Sequence, residues 1–481
     1  MDGRPQSEGG RSQVQTLRLF PTSRAILLCC LAAYPLLPSR AQQAHPSMSA
    51  ADTVKLQQAL DAYDAGQFGS AVPVLTELVR RYPKNFQACE ALGSLLLETG
   101  KLQQALPYLQ QAANLSPNDA LAHANLGAAY LAQGTSELAL TQLQKAAQLD
   151  QSSPQTQSNL GRVWMLQNHP AEAATAFTAA LNLLPGDPDI MYNQAVALTA
   201  DKRPTEALVV INKIPANSVN DQVAELRGDL FEQTGDFKAA LLEYQQGAKL
   251  NPSAPNLFAL DVELLRHWTW EEALSVSRYS AQQFPQDARF PLASVIALFA
   301  KGDYQTAAVE ASALLKANPD NNTYADLLGR SCQAAGEAAA PQCTQLETFA
   351  KAHPQNARIA VFAATAILER SVDHQDQVAA QQLLAKAALA TPELPEAHYE
   401  LAVLAQQNSN WEKSRTELEK AIALKPDYAE AHYRLSRAYA HLGRRDDAKR
   451  ETELHQQYSD KQKDSLNARM QEVMLFLLKP S

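Results

Sequence analysis

Aromatic residues are scarce in this chain of 481 residues, only 7%, although hydrophobic residues make up 46%. Runs of β-branched residues are few, while Ala, Leu, Gln and Glu, which favour helices, are abundant. A basic excess is missing as well: 42 Lys and Arg stand against 51 Asp and Glu, a net charge of −9. That balance excludes the electrostatic footprint of a nucleic-acid binder, and the apolar content excludes low-complexity disorder. The sequence has no His-Glu-x-x-His, no Cys-x-x-Cys pair, no Asp-rich calcium loop and no Gly-x-Ser-x-Gly elbow. Without strands, no Gly-rich phosphate loop has a place. The expectation is a chain that is not an enzyme, with no metal and no cofactor. Proline, by contrast, is plentiful at 26 residues, and a helical chain tolerates so many only at regular stops.

The N-terminal region reads as an address. Arg4, Arg11, Arg18 and Arg24 precede an apolar stretch from Ala25 to Leu37, and Pro38-Ser39-Arg40-Ala41 follows. A basic region, a short apolar run and small residues before a break predict a signal peptide over residues 1–41. The apolar run is shorter than the roughly 20 residues a membrane helix needs, and Pro35 interrupts it. An uncleaved membrane anchor and a cytoplasmic protein started at Met48 are the alternatives. Removal of residues 1–41 takes away five basic and two acidic residues, so the mature chain carries a net −12. No further segment is apolar enough to cross a membrane.

The remainder repeats. Pro83 and Pro117 are 34 apart, as are Pro285 and Pro319, and Pro392 and Pro426. Gly93, Gly127 and Gly161 keep the same interval, as do Gly66, Gly100 and Gly134, and Ala71, Ala105, Ala139, Ala173 and Ala207. One period in three residue types predicts stacked structural units. Each unit reads as two helices: one over about 87–99, stopped at Gly100, and a second from Leu102 to Leu115. Small residues such as Gly93 and Ala105 mark where the helices approach closely.

This pattern resembles the tetratricopeptide repeat (TPR) family. Leu126-Gly127 with Tyr130, Gly134, Ala139 and Ala146 carries the likeness, as does Leu160-Gly161 with Ala173, Ala180 and Pro185. Leu401-Ala402 with Ala421 and Pro426, and Leu435 with Tyr439, Gly443 and Ala448, repeat it near the end. The implied fold is all-α, a right-handed superhelical solenoid of about twelve helix-turn-helix units between residue 52 and about 460. A linker over 42–51 would lead into arrays at 52–220, 221–354 and 355–460, and residues 461–481 would supply a capping helix and tail. Bends are expected at Pro204 and Pro215, at Pro341, and at an insertion near Val372–Val378.

Several side chains stand out against this background. His123, His398 and His432 occupy one slot of the repeat, which predicts packing rather than ligation. Cys332 and Cys343 lie on the two helices of one unit, where a disulfide would form in an oxidising compartment. Asn125, Asn159 and Asn193 fall 34 apart on first helices, which line the concave side of such stacks. The TPR region of the O-linked N-acetylglucosamine transferases is similar in carrying an asparagine ladder, which implies a peptide-binding groove at these three residues. Their alternative role is to tie neighbouring helices together. The family's carboxylate clamp is not matched, because Leu121, Ala124, Ser158 and Asp189 stand where cations are needed. In the final segment Leu475 and Phe476 lie off the apolar stripe of Met470, Val473, Met474, Leu477 and Leu478, and so offer a partner contact.

The function implied is an exported, periplasmic or secreted scaffold that binds a protein or extended peptide and assembles an envelope complex. A periplasmic scaffold for exopolysaccharide export and an accessory subunit of a transferase encoded on another chain are the competing readings.

Overall fold

A computed structural model describes residues 48–370 and 373–463. The expected signal peptide, most of the 42–51 linker, the capping helix, and Leu475 and Phe476 therefore lie outside the described residues. Contacts divide the chain into two compact units, 1–243 and 244–481, and each is considered by itself.

Among the described residues the structure is helical throughout, in antiparallel hairpins that follow the expected period. In the first unit these span 50–81, 86–115, 120–149, 154–183 and 188–211, with 221–250 running across the boundary. In the second unit they span 254–283, 289–317, 322–352, 357–390, 395–424 and 429–463.

The repeat boundaries arise from capping. Asn85, Asp119, Ser153 and Asp187, again 34 apart, each precede a first helix and accept a hydrogen bond from a backbone N–H in its first turn. Proline plays two parts. Pro154, Pro170, Pro188, Pro204 and Pro395 open helices, where the missing N–H has no intrahelical partner to lose. Pro73 and Pro107, however, sit inside the second helices Phe68–Arg81 and Leu102–Leu115. Both are exposed, so water takes over the carbonyls they leave unbonded.

Inside a hairpin the two helices touch at the expected glycines. A Cβ built on Gly93, Gly127 or Gly161 would stand 2.7, 2.6 or 2.7 Å from Leu109, Leu143 or Phe177 of the second helix. The glycine lets a large partner seat directly on the first helix, and Leu109, Leu143 and Phe177 are completely buried. Each core cluster extends through neighbouring hairpins, as between Leu56 and Ala129 or between Ala173 and Leu230.

The irregular hairpins are those with misplaced prolines or extra residues. The helix Pro204–Ile211 has only 8 residues and gives way to a short 3-10 turn at Ala216–Ser218. Arg227, from the next first helix, donates to the Ile211 and Ile214 carbonyls at 3.0 and 3.4 Å and so caps the truncated end. Pro341 falls in the first turn of Ala340–Ala352, after a 3-10 turn at Gly336–Ala339. Cys332 in the helix Asn322–Ala335 and Cys343 in Ala340–Ala352 join the two helices of this hairpin as a disulfide, with Cα atoms 5.9 Å apart. The insertion near 372–378 lengthens the helix His374–Ala390 to 17 residues.

Candidate partner-binding surface

The recurring histidines act as clamps. His123 faces the Pro117 carbonyl at 3.0 Å through Nε2 and Gln142 at 2.7 Å through Nδ1. His398 repeats the arrangement with Pro392 and Glu417, and His432 with Pro426 and Glu451. Each ring ties the loop six residues before it to the second helix of its own hairpin. With both nitrogens engaged, these rings are not free for a metal. Burial disfavours the charged form of His432, but the Glu451 carboxylate and the Pro426 carbonyl outweigh it, so its pKa lies above the ordinary value.

The first helices expose a row of positions between the buried ones, and the three asparagines border it unequally. Asn125 is buried, and its Nδ2 donates to Glu90 Oε1 at 2.7 Å and Ser94 Oγ at 2.9 Å in the preceding hairpin. Asn193 is also buried, and its Oδ1 has no partner. Asn159 is half-buried and accepts from Arg162 Nη1 at 3.3 Å. Asn125 and Asn193 are thus turned into the stack, because each repeat covers the flank of the one before it. Asn159 remains on the surface.

Charge along this surface is strongly shaped by burial. The Glu90 carboxyl is pushed upward by burial, while its bonds to Ser94 and Asn125 pull it back. In the second unit, burial raises Glu400 to about 7, opposed by Arg434 and reinforced by Glu369. Arg434 is held by the Tyr399 hydroxyl at 2.9 Å and by Gln406 Oε1 at 3.3 Å. Burial lowers the pKa of Arg162. Sequence reasoning passed over Arg162 and Arg434, although both lie on first helices.

One tetratricopeptide repeat profile matches residues 56–120 and 90–154, a second matches 165–230, and a third, a TPR repeat profile, matches 405–443. The chain belongs to the tetratricopeptide repeat family. Among solved structures, PilF of Pseudomonas aeruginosa is 21% identical, with a TM-score of 0.39 over 43% of this chain and 94% of that one. PilW, described as a type IV pilus biogenesis factor, is 16% identical, with a TM-score of 0.40 over 45% of this chain and 100% of that one. YrrB, described as a TPR protein with an unusual peptide-binding site, is 17% identical, with a TM-score of 0.36 over 39% and 97%. No curated protein matches the sequence. As a TPR chain it is a scaffold for protein binding, in a fold that is in general non-catalytic. No described helix is long and apolar enough to cross a membrane.

Proposed function

We propose that this TPR protein is exported and binds a protein or peptide segment along its first-helix surface, so assembling a complex of the cell envelope. The observation that carries the reading is the disulfide between Cys332 and Cys343. Such a bond persists in oxidising compartments outside the cytosol, which agrees with the leader-like residues 1–41. A stacked array offers its partner a surface ordered in advance, so association does not bear the entropy of folding the receptor. Asn159 is the rung of the asparagine row that stays accessible, and its Nδ2 remains available for a backbone carbonyl.

The test is to recover the protein from its native cell, sequence its N-terminus and count its thiols. The expected result is a chain beginning near Gln42 in the envelope fraction, with Cys89 as its one free thiol under denaturing, non-reducing conditions. A photoreactive residue at Asn159 should crosslink to an envelope protein. A full-length cytosolic chain with Cys332 and Cys343 reduced would overturn the reading.

A further inference from the structure

The sixth residue of a first helix reaches back to the fifth and ninth residues of the first helix before it. Asn125, sixth in Ala120–Gln133, donates to Glu90 and Ser94, fifth and ninth in Phe86–Glu98. Arg434, sixth in Ala429–His441, donates through Nε to the hydroxyl of Tyr399, fifth in Pro395–Gln407. Glu400 is the sixth residue of Pro395–Gln407, and the positions behind it are Val361 and Thr365 of Ala357–Arg370. Val361 has no polar side chain, and the Thr365 hydroxyl donates to the Val361 carbonyl at 3.1 Å. This slot therefore gives Glu400 no donor.

Glu400 is only 8% exposed, and among the described residues its carboxyl has no hydrogen bond and no cation within 4.0 Å. Neither of its oxygens is sealed from solvent, so a ligand can reach the carboxyl from the first-helix surface. Arg434 acts on it only from a distance, because Nε is committed to Tyr399 and Nη1 to Gln406 Oε1 at 3.3 Å. The hairpin before it adds a second acid, Glu369, which reinforces the rise in the Glu400 pKa that burial causes. Glu369 is itself raised, by burial and by Glu337. A buried carboxyl without a donor is costly, and a second acid close by makes a neutral donor the poorer match. The missing group is a cation.

We propose that Glu400, with Glu369 nearby, receives a cationic group of the bound protein segment: a lysine or arginine side chain, or the segment's terminal amine. The inference rests on the first-helix surface being the binding surface, and it names the partner's charge there. An arriving cation supplies the donor that Val361 and Thr365 lack, and it draws the carboxyl into its ionised form. The slot selects for charge, since a neutral donor leaves the two acids uncompensated.

The experiment uses the mature chain and an array of synthetic decapeptides of varied sequence in matched forms. One form carries Lys or Arg, its counterpart carries acetyl-lysine or citrulline, and each is made with a free and an acetylated N-terminus. Wild type is expected to favour the cationic forms by about tenfold, the worth of a charge-assisted pair. Dependence on Lys or Arg would identify a side chain as the source, and dependence on the free terminus would identify the chain end. Glu400→Gln, close in shape to a protonated glutamate, should abolish the preference while retaining the helical signal. Thr365→Lys, which brings an ammonium of the chain's own to the slot, should abolish it as well. Glu412→Gln removes the same charge from an exposed site on the second helix of this hairpin and should keep the preference. Peptides that bind equally in both forms, or a Glu400→Gln variant that keeps the preference, would overturn the cation slot and leave the scaffold reading standing. So would loss of the preference in Glu412→Gln, which would trace it to net charge. Failure of every form to bind would overturn both.

Discussion

At the turn between the helices of a hairpin, one residue must adopt a left-handed backbone. Gly66, Gly100 and Gly134 do so with φ of 71°, 76° and 83°. The next two occupants of the slot are Asn168 and Lys202, and they are held there as well, at φ of 61° and 59°. The hairpin therefore imposes the conformation and the residue type only sets its cost, about 1 kcal/mol or more for a side chain with a Cβ. Lys202 is exposed, so its replacement removes strain with little loss of packing. Lys202→Gly is expected to raise the thermal midpoint, by roughly 1 kcal/mol of stability, whereas Lys202→Ala should leave it nearly unchanged. Calorimetry of the three proteins decides the matter, and a midpoint lowered by Gly would refute imposed strain.

At the scale of the helix pair, the slot filled by Gly93, Gly127 and Gly161 is occupied in hairpin 254–283 by Asp261. The large residue opposite, Leu109 or Leu143 elsewhere, is there Ser277, whose hydroxyl donates to Asp261 Oδ2 at 2.6 Å. A Gly–Leu contact has become an Asp–Ser hydrogen bond at the same crossing. Asp261 is fully buried with Oδ1 unpartnered, and burial raises its pKa from 3.8 to about 7 against the pull of Ser277. The folded state therefore holds a proton that the unfolded state releases between those values. Stability from this site is greatest in acid and is lost as pH rises towards about 7. Restoring the usual contact with Asp261→Gly and Ser277→Leu together should raise the midpoint, and more at about pH 8 than at about pH 4.5. The single variants should fall short of the pair, because each leaves a cavity or an orphaned group. An equal gain at both pH values would show that Asp261 does not titrate as its surroundings require. The period and the glycine crossings were legible in the sequence, because each is a local requirement repeated every 34 residues. The caps Asn85, Asp119, Ser153 and Asp187 keep the same interval but are evident only in the structure. That an asparagine of the row ties neighbouring helices together was the alternative reading, which Asn125 follows. Which of the three turn inward was not legible, since it depends on how one repeat covers the next. Nor was the cap that Arg227 places on Ile211, for which sequence spacing carries no signal.

For the whole chain, the consequence of a stacked design is that strain stays near its source. Each hairpin borrows its core from its neighbours: Leu131 and Leu143 of hairpin 120–149 share one cluster with Val163 of hairpin 154–183. An array of this kind behaves as a sum of unit stabilities and neighbour terms, so it can open in part. Gly127 offers a clean perturbation. A Cβ there would lie 2.6 Å from Leu143 Cγ and 3.2 Å from the Leu143 backbone nitrogen, so the second helix must shift as well as the side chain. Overpacking of this sort costs about 1–3 kcal/mol. Gly127→Ala should speed amide hydrogen exchange in hairpins 86–115, 120–149 and 154–183, whose helices adjoin the crossing. Hairpin 322–352 is several hairpins further along the chain and is braced by its disulfide, and its exchange should stay within error of wild type. Protection lost evenly along the chain would mean that the array melts as one cooperative body. The partner surface could then not be tuned hairpin by hairpin, as a row of separately dressed first helices otherwise allows.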